Sequence, residues 1–313
     1  MDAEDRKLFA QGLHQATEQH TAVTLDAALD ELGWYDALTD DRRDAVSLLF
    51  EMQGAANVTS SALNAVLAQS LGLTPEVAIV LPPLGKWHSP GTLAGDRLLV
   101  QGLAVGALAD GLAVAWEGKE PMVAVIGADD LELRSIAGID PASGLVQVTG
   151  HLPLQMLSPS PADWPAAVSA GRVALAYELI GACRTMLRLA RDHALHRVQF
   201  GRPIAGFQAV RHRLADSLLA IEAAQACADA AWDEPGALPA TLAKAVAGTT
   251  ARTVGKHAQQ VLGGMGFTTD HPLHRYVRRA LVLDQLLGAG ATLTREIGTQ
   301  LLRARDLPEL LPL

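Results

Sequence analysis

Two segments of the chain carry most of the information about its fold: Arg197-Val198-Gln199-Phe200-Gly201-Arg202-Pro203-Ile204 and Gln260-Val261-Leu262-Gly263-Gly264-Met265-Gly266-Phe267. Each lies between long segments in which apolar residues recur with helical spacing. Four such helical patterns span about 165–196, 206–231, 239–262 and 272–302, and the last would break, if anywhere, near Gly288-Ala289-Gly290. Four long helices with short connections predict an antiparallel bundle.

The part of the chain before the bundle shows two successive sequence patterns, one typical of helices and one typical of strands. Helical spacing and glycine breaks predict short helices at about 5–18, 25–32, 41–52 and 61–71. Short apolar runs between turn residues then predict strands at 77–81, 97–102, 112–116, 122–126 and 145–152, and a Pro-rich connector follows at 157–165. The predicted fold is mainly α, with an N-terminal helical domain (1–75), a small β domain (76–156) and a C-terminal four-helix bundle (157–313).

The first segment, 197–204, contains residue types suited to binding a phosphate group and an aromatic ring. Arg197 ends a predicted helix and offers a planar five-donor fork suited to phosphate oxygens. Gln199 and Gln208 supply amide groups for hydrogen bonds, and Phe200 supplies an apolar or stacking surface. A purely structural alternative is that Arg197 is a cation favoured by the helix C-terminal dipole.

The second segment, 260–267, contains glycines that allow its backbone to approach a ligand closely. Gly263, Gly264 and Gly266 permit a tight turn at a helix end, where the main chain approaches a ligand closely. Gln260 precedes the turn by less than one helical turn. Here too a plain glycine cap of the helix is the alternative.

Together the two segments, and the α-β-α order around them, resemble the flavin-binding signature of the acyl-CoA dehydrogenase family. The resemblance is carried by Arg-x-Gln-Phe-Gly-x-Pro-Ile followed by Phe207-Gln208, and by Gln-x-x-Gly-Gly-x-Gly-Phe; the segment Asp30-Glu31-Leu32-Gly33-Trp34 is also similar. It implies that the segments reach FAD across a subunit interface. Arg197, Gln199 and Phe200 would contact one face of the dinucleotide, while Gln208 and the residues from Gln260 to Gly264 would hold other parts.

The family reaction requires a carboxylate that removes the α proton of an acyl-CoA thioester. Counting from Tyr276-Val277-Arg278-Arg279-Ala280, the usual position of that glutamate is occupied by Leu287. The position used by a minority of members, near the start of the first bundle helix, is occupied by Gly171. Asp284, one turn before Leu287, is the weak substitute candidate, and the mid-helix Glu178 is a weaker one.

A second departure from the family lies in the predicted β domain. Members present a Thr-Glu-Pro…Gly-Ser-Asp loop and a Trp-Ile-Thr/Ser strand that hold the flavin ring. The matching region here reads Val80-Leu81-Pro82-Pro83-Leu84-Gly85-Lys86-Trp87-His88, and no Trp-Ile-Thr follows. The chain therefore resembles a shortened subunit that has the half-site facing a neighbour's FAD without the half-site for a flavin ring of its own.

Composition excludes several other classes of function. The formal net charge is −9 and no Lys/Arg run stands out, so nucleic-acid binding is not expected. The acidic start carries no signal-peptide pattern and no membrane-spanning run is evident. Cys183 and Cys227 have no CxxC spacing and indicate core residues in a reducing cytoplasm. The histidines lack the cysteine or carboxylate companions of a metal site.

These observations predict a subunit of a heteromeric, FAD-dependent acyl-CoA dehydrogenase, similar to those of actinobacterial sterol breakdown. Its partners would be a homologous full-length subunit, an acyl-CoA and an electron-transfer flavoprotein, in a cytoplasmic assembly such as a heterotetramer. Two alternatives remain open. One is a self-sufficient homomeric dehydrogenase with a relocated base such as Asp284, and the other is a scaffold or regulatory pseudoenzyme that binds no flavin.

Overall fold

The computed structural model describes residues 1–19, 22–106 and 110–305. Its N-terminal part contains the helices α1 (Ala3–Gln19), α2 (Ala22–Glu31), α3 (Trp34–Asp40), α4 (Arg42–Ala56) and α5 (Ala62–Ser70). Helix α3 was not predicted, because it is short and is anchored by a tertiary contact. The Trp34 ring is fully buried, and its Nε1 donates to the carbonyl of Ala45 at 2.9 Å.

The middle of the chain forms an eight-stranded sheet with the order β6-β7-β3-β2-β4-β5-β8, in which β1 pairs with β4 in parallel. The strands are β1 (Ala78–Ile79), β2 (Gly91–Ala94), β3 (Arg97–Val105), β4 (Gly111–Trp116), β5 (Met122–Gly127), β6 (Glu132–Ser135), β7 (Leu145–Pro153) and β8 (Ser160–Pro161). Sequence periodicity missed β2, β6 and the two-residue β8, which lies in the predicted connector. Every residue of β6 is exposed, so this edge strand lacks the apolar alternation that marks a strand with one buried face.

The C-terminal part contains α6 (Trp164–His196), the two-residue strands β9 (Val198–Gln199) and β10 (Arg202–Pro203), and the helices α7 (Gln208–Asp233), α8 (Ala237–Leu262), α9 (Leu273–Gln285) and α10 (Gly290–Ala304). The predicted fourth helix is therefore two helices. Tyr177 on α6 bonds Asp229 on α7, while Arg184 bonds Glu222, so these two helices run antiparallel. The predicted mainly α fold with a small sheet part and a C-terminal bundle is confirmed.

The N-terminal helices and the bundle are joined by a close crossing of α4 and α6. Added Cβ atoms at Gly54 and Gly181 would overlap the backbone oxygens of Glu178 and Glu51 on the opposite helix. Glycine at both positions lets the two backbones touch, and Leu49 beside them is fully buried. One hydrophobic core consequently runs from α1 to the α9–α10 turn, while the outer face of the sheet has a smaller core of its own. The division into domains at residues 75 and 156 stays a prediction.

Helix α6 is long and apolar enough to cross a membrane by length and composition. In the fold, however, 83% of its most apolar window is buried inside the protein. Its neighbours are α4 on one side and α7 and α8 on the other. The apolar character of α6 is therefore that of a central core helix.

Replacing Gly181 with Ala should destabilise the protein by at least about 3 kcal/mol, because the new methyl group overlaps backbone that has no room to move. Gly298→Ala is the matched control, since its Cβ meets no heavy atom within 4 Å and lies in α10. The control should gain about 0.5–1 kcal/mol from helix propensity. Denaturant unfolding of the three proteins measures both effects, and equal stabilities would contradict the close crossing.

Candidate functional site

The first predicted segment forms a tight hairpin at the end of α6. The backbone N–H of Ile204 donates to the carbonyl of Arg197 at 2.8 Å, and β9 pairs with β10. The two turn residues, Phe200 and Gly201, have φ of 54° and 78°. Both lie in the left-handed region, which is the geometry of a type I′ hairpin. Glycine adopts this conformation readily and phenylalanine does not, so the turn places Phe200 at an energetic cost.

The hairpin presents an aromatic surface to solvent. Phe200 is 91% exposed, and its ring packs edge-to-face against Phe207 with centroids 6.0 Å apart. The guanidinium carbon of Arg202 lies 4.3 Å from the Phe207 ring centroid, a cation–π contact that fixes both side chains. A large aromatic ring held in the open indicates a surface that contacts another molecule.

The second predicted segment closes α8 with an open glycine turn. Gly263 has φ 62° and ψ −138°, a conformation that belongs essentially to glycine. No atom lies within 4 Å of where a Cβ would stand on Gly263 or Gly264, whereas a Cβ on Gly266 would come 3.0 Å from the carbonyl oxygen of Gln259. Gly266 is thus required by packing, and Gly263 and Gly264 leave bare backbone facing outward.

The two segments lie at the same end of the bundle. α7 runs antiparallel to both α6 and α8, since Ser217 bonds His257 and Thr250 bonds Ala220, so the ends of α6 and α8 point the same way. No hydrogen bond, ion pair or ring contact joins the segments among the described residues. Within those residues the side chains of Arg197, Gln208 and Gln260 also make no hydrogen bond or ion pair, and that of Gln199 donates to the neighbouring carbonyl of Val198.

A dinucleotide cofactor fits this end of the bundle in three respects. The guanidinium of Arg197 is available for phosphate oxygens, the ring of Phe200 is available for stacking, and the Gly263-Gly264 backbone is unobstructed. The amides of Gln208 and Gln260 are exposed beside them.

The two family positions for the catalytic base meet in the structure. Leu287 is 1% exposed, and its Cδ1 lies 2.5 Å from where a Cβ on Gly171 would stand. Leu67 of α5 packs against the same position, since its Cδ2 lies 3.0 Å from where a Cβ on Gly171 would stand. The space between the two positions is therefore filled with aliphatic carbon, and neither position holds a group that accepts a proton.

Two buried cations hold the turn that carries Leu287. Arg172 Nε donates to the carbonyl of Leu287 at 3.1 Å, and Lys244 Nζ donates to the carbonyls of Asp284 and Gly288 at 2.8 and 3.2 Å. Burial lowers the pKa of Lys244 to about 7 and that of Arg172 to about 10. Leu287 itself has φ 54°, an unfavourable backbone conformation that these contacts maintain.

Asp284, the substitute candidate for the base, anchors a helix. Its Oδ1 accepts the backbone N–H of Gly290 at 2.9 Å, at the start of α10, and its Oδ2 lies 3.0 Å from Nη2 of Arg252. The side chain is 3% exposed. Both carboxylate oxygens are thus occupied by protein groups, as expected of a structural carboxylate.

Glu178, the other acid considered, lies beside Arg279 in the core. Its Oε1 is 4.0 Å from Arg279 Nη1, and burial raises the pKa of this carboxyl to about 7 against the opposing effect of Arg279. The adjoining cavity, lined in part by Glu178, Arg279 and Leu286, measures about 20 Å³. That volume is enough for one water molecule. It does not accommodate an acyl chain.

The segment of the sheet part that departs from the family signature packs directly on the bundle. The backbone N–H of Gly85 donates to the carbonyl of Gln285 at 2.8 Å, and the indole N–H of Trp164 donates to the carbonyl of Trp87 at 3.1 Å. The Arg172 guanidinium carbon lies 5.7 Å from the Trp87 ring centroid. This segment therefore contacts the end of α9 directly, and it reaches the Leu287 turn through Arg172.

Sequence reasoning missed the two buried cations. Lys244 stands between Ala243 and Ala245 on an otherwise apolar face of α8, and Arg172 follows Gly171 within an apolar stretch of α6. A lone cation on an apolar helix face was the available signal, because such groups are buried only where they find acceptors. Their acceptors are backbone carbonyls of the α9–α10 turn, which residue types alone do not reveal.

Comparison with known proteins places this architecture in a class. The C-terminal domain of acyl-CoA dehydrogenases matches residues 166–302. The acyl-CoA dehydrogenase IpdE2 of Mycobacterium tuberculosis is 27% identical over 95% of this chain and 97% of its own length. Two solved structures share the fold: the ChsE4-ChsE5 complex of Mycobacterium tuberculosis (TM-score 0.78, 19% identity, 99% of each chain) and a variant of the Tcur3481-Tcur3483 steroid ACAD (TM-score 0.75, 22% identity, 96% of each chain).

The fold is thus that of an acyl-CoA dehydrogenase, with an N-terminal helical part, a central sheet and a C-terminal bundle. Residues 166–302 belong to the C-terminal domain of the acyl-CoA dehydrogenase family, whose members bind FAD, and the chain is similar to an acyl-CoA dehydrogenase over 95% of its length. The resemblance that the Arg197 and Gly263 segments predicted is confirmed at the level of the family. The roles of individual residues remain predictions.

The low pKa of Lys244 makes a measurable contribution to the pH dependence of stability. Between about pH 7 and 10.5 the folded protein holds this amine neutral while the unfolded chain keeps it protonated, so its contribution to stability rises with pH. Replacing Lys244 with Met should remove that slope, which is at most about 1.4 kcal/mol per pH unit. Unfolding in urea at several pH values measures the difference between wild type and variant.

Lys256→Met is the matched control, because this lysine is exposed on the same helix. Its stability should follow the wild-type pH profile. A wild-type minus Lys244→Met difference that stays constant from pH 7 to 10 would contradict a neutral buried amine.

Proposed function

We propose that this chain is a subunit of a heteromeric, FAD-dependent acyl-CoA dehydrogenase. In this proposal it lacks the catalytic base and completes the FAD site of a homologous full-length subunit. The proposal rests on a contrast between two regions of the bundle, its open end and the packed positions of the catalytic base. The end that bears Arg197, Phe200 and Gly263 is open and rich in free donors, whereas the base positions Leu287 and Gly171 are packed against each other.

The absence of a base at those two positions argues against turnover by this chain alone. Removing an α proton requires a group within about 3 Å of it and with a suitable pKa. Leu287 and Gly171 offer no such group, and the oxygens of Asp284 are occupied by Gly290 and Arg252. The carboxylate for the α,β-dehydrogenation of an acyl-CoA is therefore assigned to the partner subunit.

The open end of the bundle supports a shared cofactor. A site that one chain builds alone surrounds its ligand, but Phe200 is 91% exposed and the Gly263-Gly264 backbone faces outward. When bound, the flavin supplies the acceptor for the hydride from the β carbon. The role of Arg197, Gln199, Gln208 and Gln260 is then to bind and orient the dinucleotide from the neighbouring side.

Substrate and partners follow from the relatives by analogy. The ChsE4-ChsE5 and Tcur3481-Tcur3483 structures carry names of paired chains, and the second is called a steroid ACAD. We extend these features to this chain as part of the proposal: a cytoplasmic assembly such as a heterotetramer, a sterol side-chain CoA thioester as substrate, and an electron-transfer flavoprotein as electron acceptor. Fold likeness alone does not determine a substrate, so each feature requires its own test.

The first test concerns the shared cofactor. The chain is co-expressed with its full-length homologue, and flavin absorbance and native mass are measured on the purified complex. Arg197→Gln should raise the Kd of the complex for FAD about tenfold to a hundredfold, the range for one charge-assisted hydrogen bond. Native mass should stay unchanged.

Arg191→Gln is the matched control, since Arg191 is exposed in the last two turns of α6, just before Arg197, and pairs with its neighbour Asp192. It should leave flavin affinity unaltered. Stoichiometric FAD and acyl-CoA oxidation by the isolated chain would refute the proposal, and a colourless complex would favour the flavin-free scaffold.

A second test separates the proposal from a self-sufficient enzyme that uses Asp284. Asp284→Asn keeps an oxygen that accepts the Gly290 N–H but removes the charge of the carboxylate. The kcat of the complex should change less than about threefold, because the proposed base lies in the partner. A loss of turnover beyond a thousandfold with full flavin content would instead identify Asp284 as the base.

A further inference from the structure

A cavity of about 260 Å³ lies on the side of the Arg172 guanidinium that faces the start of α6 and α8. Its walls come from the Trp87-His88 segment, from α6, from the first turns of α8, and from α10. The residues that matter for its chemistry are Trp87, Trp164, Ser169, Arg172, Thr241 and Glu296. The cavity is smaller than a typical drug-sized site and is therefore suited to a small molecule.

Arg172, which lines the cavity, has an unfulfilled hydrogen-bond donor. Arg172 is 6% exposed, its Nε bonds the carbonyl of Leu287, and its Nη1 bonds Thr241 Oγ1 at 2.7 Å. Its Nη2 is buried and has no hydrogen-bond partner among the described residues. A buried donor without an acceptor costs about 1–3 kcal/mol, and more when the group is charged. The arrangement therefore lacks one acceptor next to Nη2.

The charge of the Arg172 guanidinium favours an anion as the missing acceptor. The Arg172 guanidinium is charged at neutral pH, and the buried carboxylate nearby, Asp284, pairs with Arg252 instead. No described carboxylate lies within 4 Å of the Arg172 nitrogens. The Arg172 guanidinium therefore has no ion-pair partner among these residues, and an unpaired buried charge is strongly unfavourable.

Two further acids determine which kind of anion fits. Glu117 and Glu296 line the cavity, and Glu296 Oε1 accepts from Gln300 at 3.2 Å instead of pairing with Arg172. Their charges repel a dianion such as phosphate more strongly than a monoanion. The rings of Trp87 and Trp164 together with Val168 and Leu293 provide apolar walls for an attached hydrocarbon group.

We propose that this cavity binds a small organic acid through its carboxylate, which accepts a hydrogen bond from Arg172 Nη2 while its hydrocarbon part packs between Trp87 and Trp164. The site is separate from the FAD-facing end of the bundle. It adjoins the Leu287 turn through Arg172, so an occupant strengthens the contact that holds this turn.

The test uses the full chain and butyrate as the probe, followed by ligand-observed NMR at constant ionic strength. One charge-assisted hydrogen bond with a few buried carbons corresponds to a Kd of about 1 mM. Inorganic phosphate should bind at least about tenfold more weakly, because of the two rim carboxylates. The absence of saturable butyrate binding, or equal binding of phosphate, would overturn the proposal.

Three variants locate the site. Arg172→Gln removes the charge and should weaken butyrate binding more than about tenfold. Ser169→Phe fills part of the cavity and keeps the Arg172 side chain with its bond to the Leu287 carbonyl, so its loss of binding separates the site from any loosening of the Leu287 turn. Glu296→Gln keeps the acceptor for Gln300 but removes a repelling charge, and it should tighten binding about two- to fivefold.

Glu132→Gln, on the exposed edge strand β6, is the control for a change of net charge and should have no effect. Binding that survives in either Arg172→Gln or Ser169→Phe rejects the site. An affinity unchanged by Glu296→Gln rejects the electrostatic argument for a monoanion.

Discussion

The arrangement of the three parts of the fold depends on the buried guanidinium of Arg279. It extends from α9 and binds the carboxylate of Asp140 in the sheet part, the hydroxyl of Thr59 at 2.6 Å and the carbonyl of Val58 at 3.1 Å after α4. Glu178 of α6 faces the same group. Removing such a cation from water costs several kcal/mol unless the partners are well placed, so the segments that carry those partners are held in a fixed relation. The position of α9, and with it the turn at Leu287, follows from this contact.

Sequence periodicity was a sufficient guide where an element makes its contacts over many turns. Helices α6, α7 and α8 begin and end within two residues of the predicted limits, because a long apolar stripe and Gly or Pro boundaries define them. Sequence periodicity failed where a single tertiary contact determines whether an element forms. Helix α3 exists because the Trp34 indole bonds the Ala45 carbonyl, and β6 exists because the edge of β7 offers it partners. Neither contact leaves a periodic pattern in the sequence.

The same distinction applies to the candidate site. Arg197, Phe200 and Gly263 could be predicted as site residues from sequence because their residue types and fixed spacing are themselves the signal. Arg172 and Lys244 were not, since their partners are main-chain oxygens that any residue type supplies. The contact between Leu287 and Gly171 also emerged only in three dimensions, because 116 positions separate them in the chain. Sequence named both positions and did not reveal that one side chain fills the space beside the other.

The Leu287 turn shows how fold and chemistry separate in this family. A leucine in the left-handed region is strained by about 1–2 kcal/mol, and an aliphatic side chain gains nothing from that conformation that an ordinary turn would not give. The conformation is nevertheless maintained by the side chains of other residues. Lys244 bonds the carbonyls on both sides of Leu287, Arg172 bonds its own carbonyl, and Asp284 fixes the start of α10 just beyond it. Each of these contacts goes to the backbone, so none of them depends on which side chain stands at position 287. A scaffold of this kind holds its turn without a carboxylate at position 287, as the proposed division of labour with a partner subunit requires.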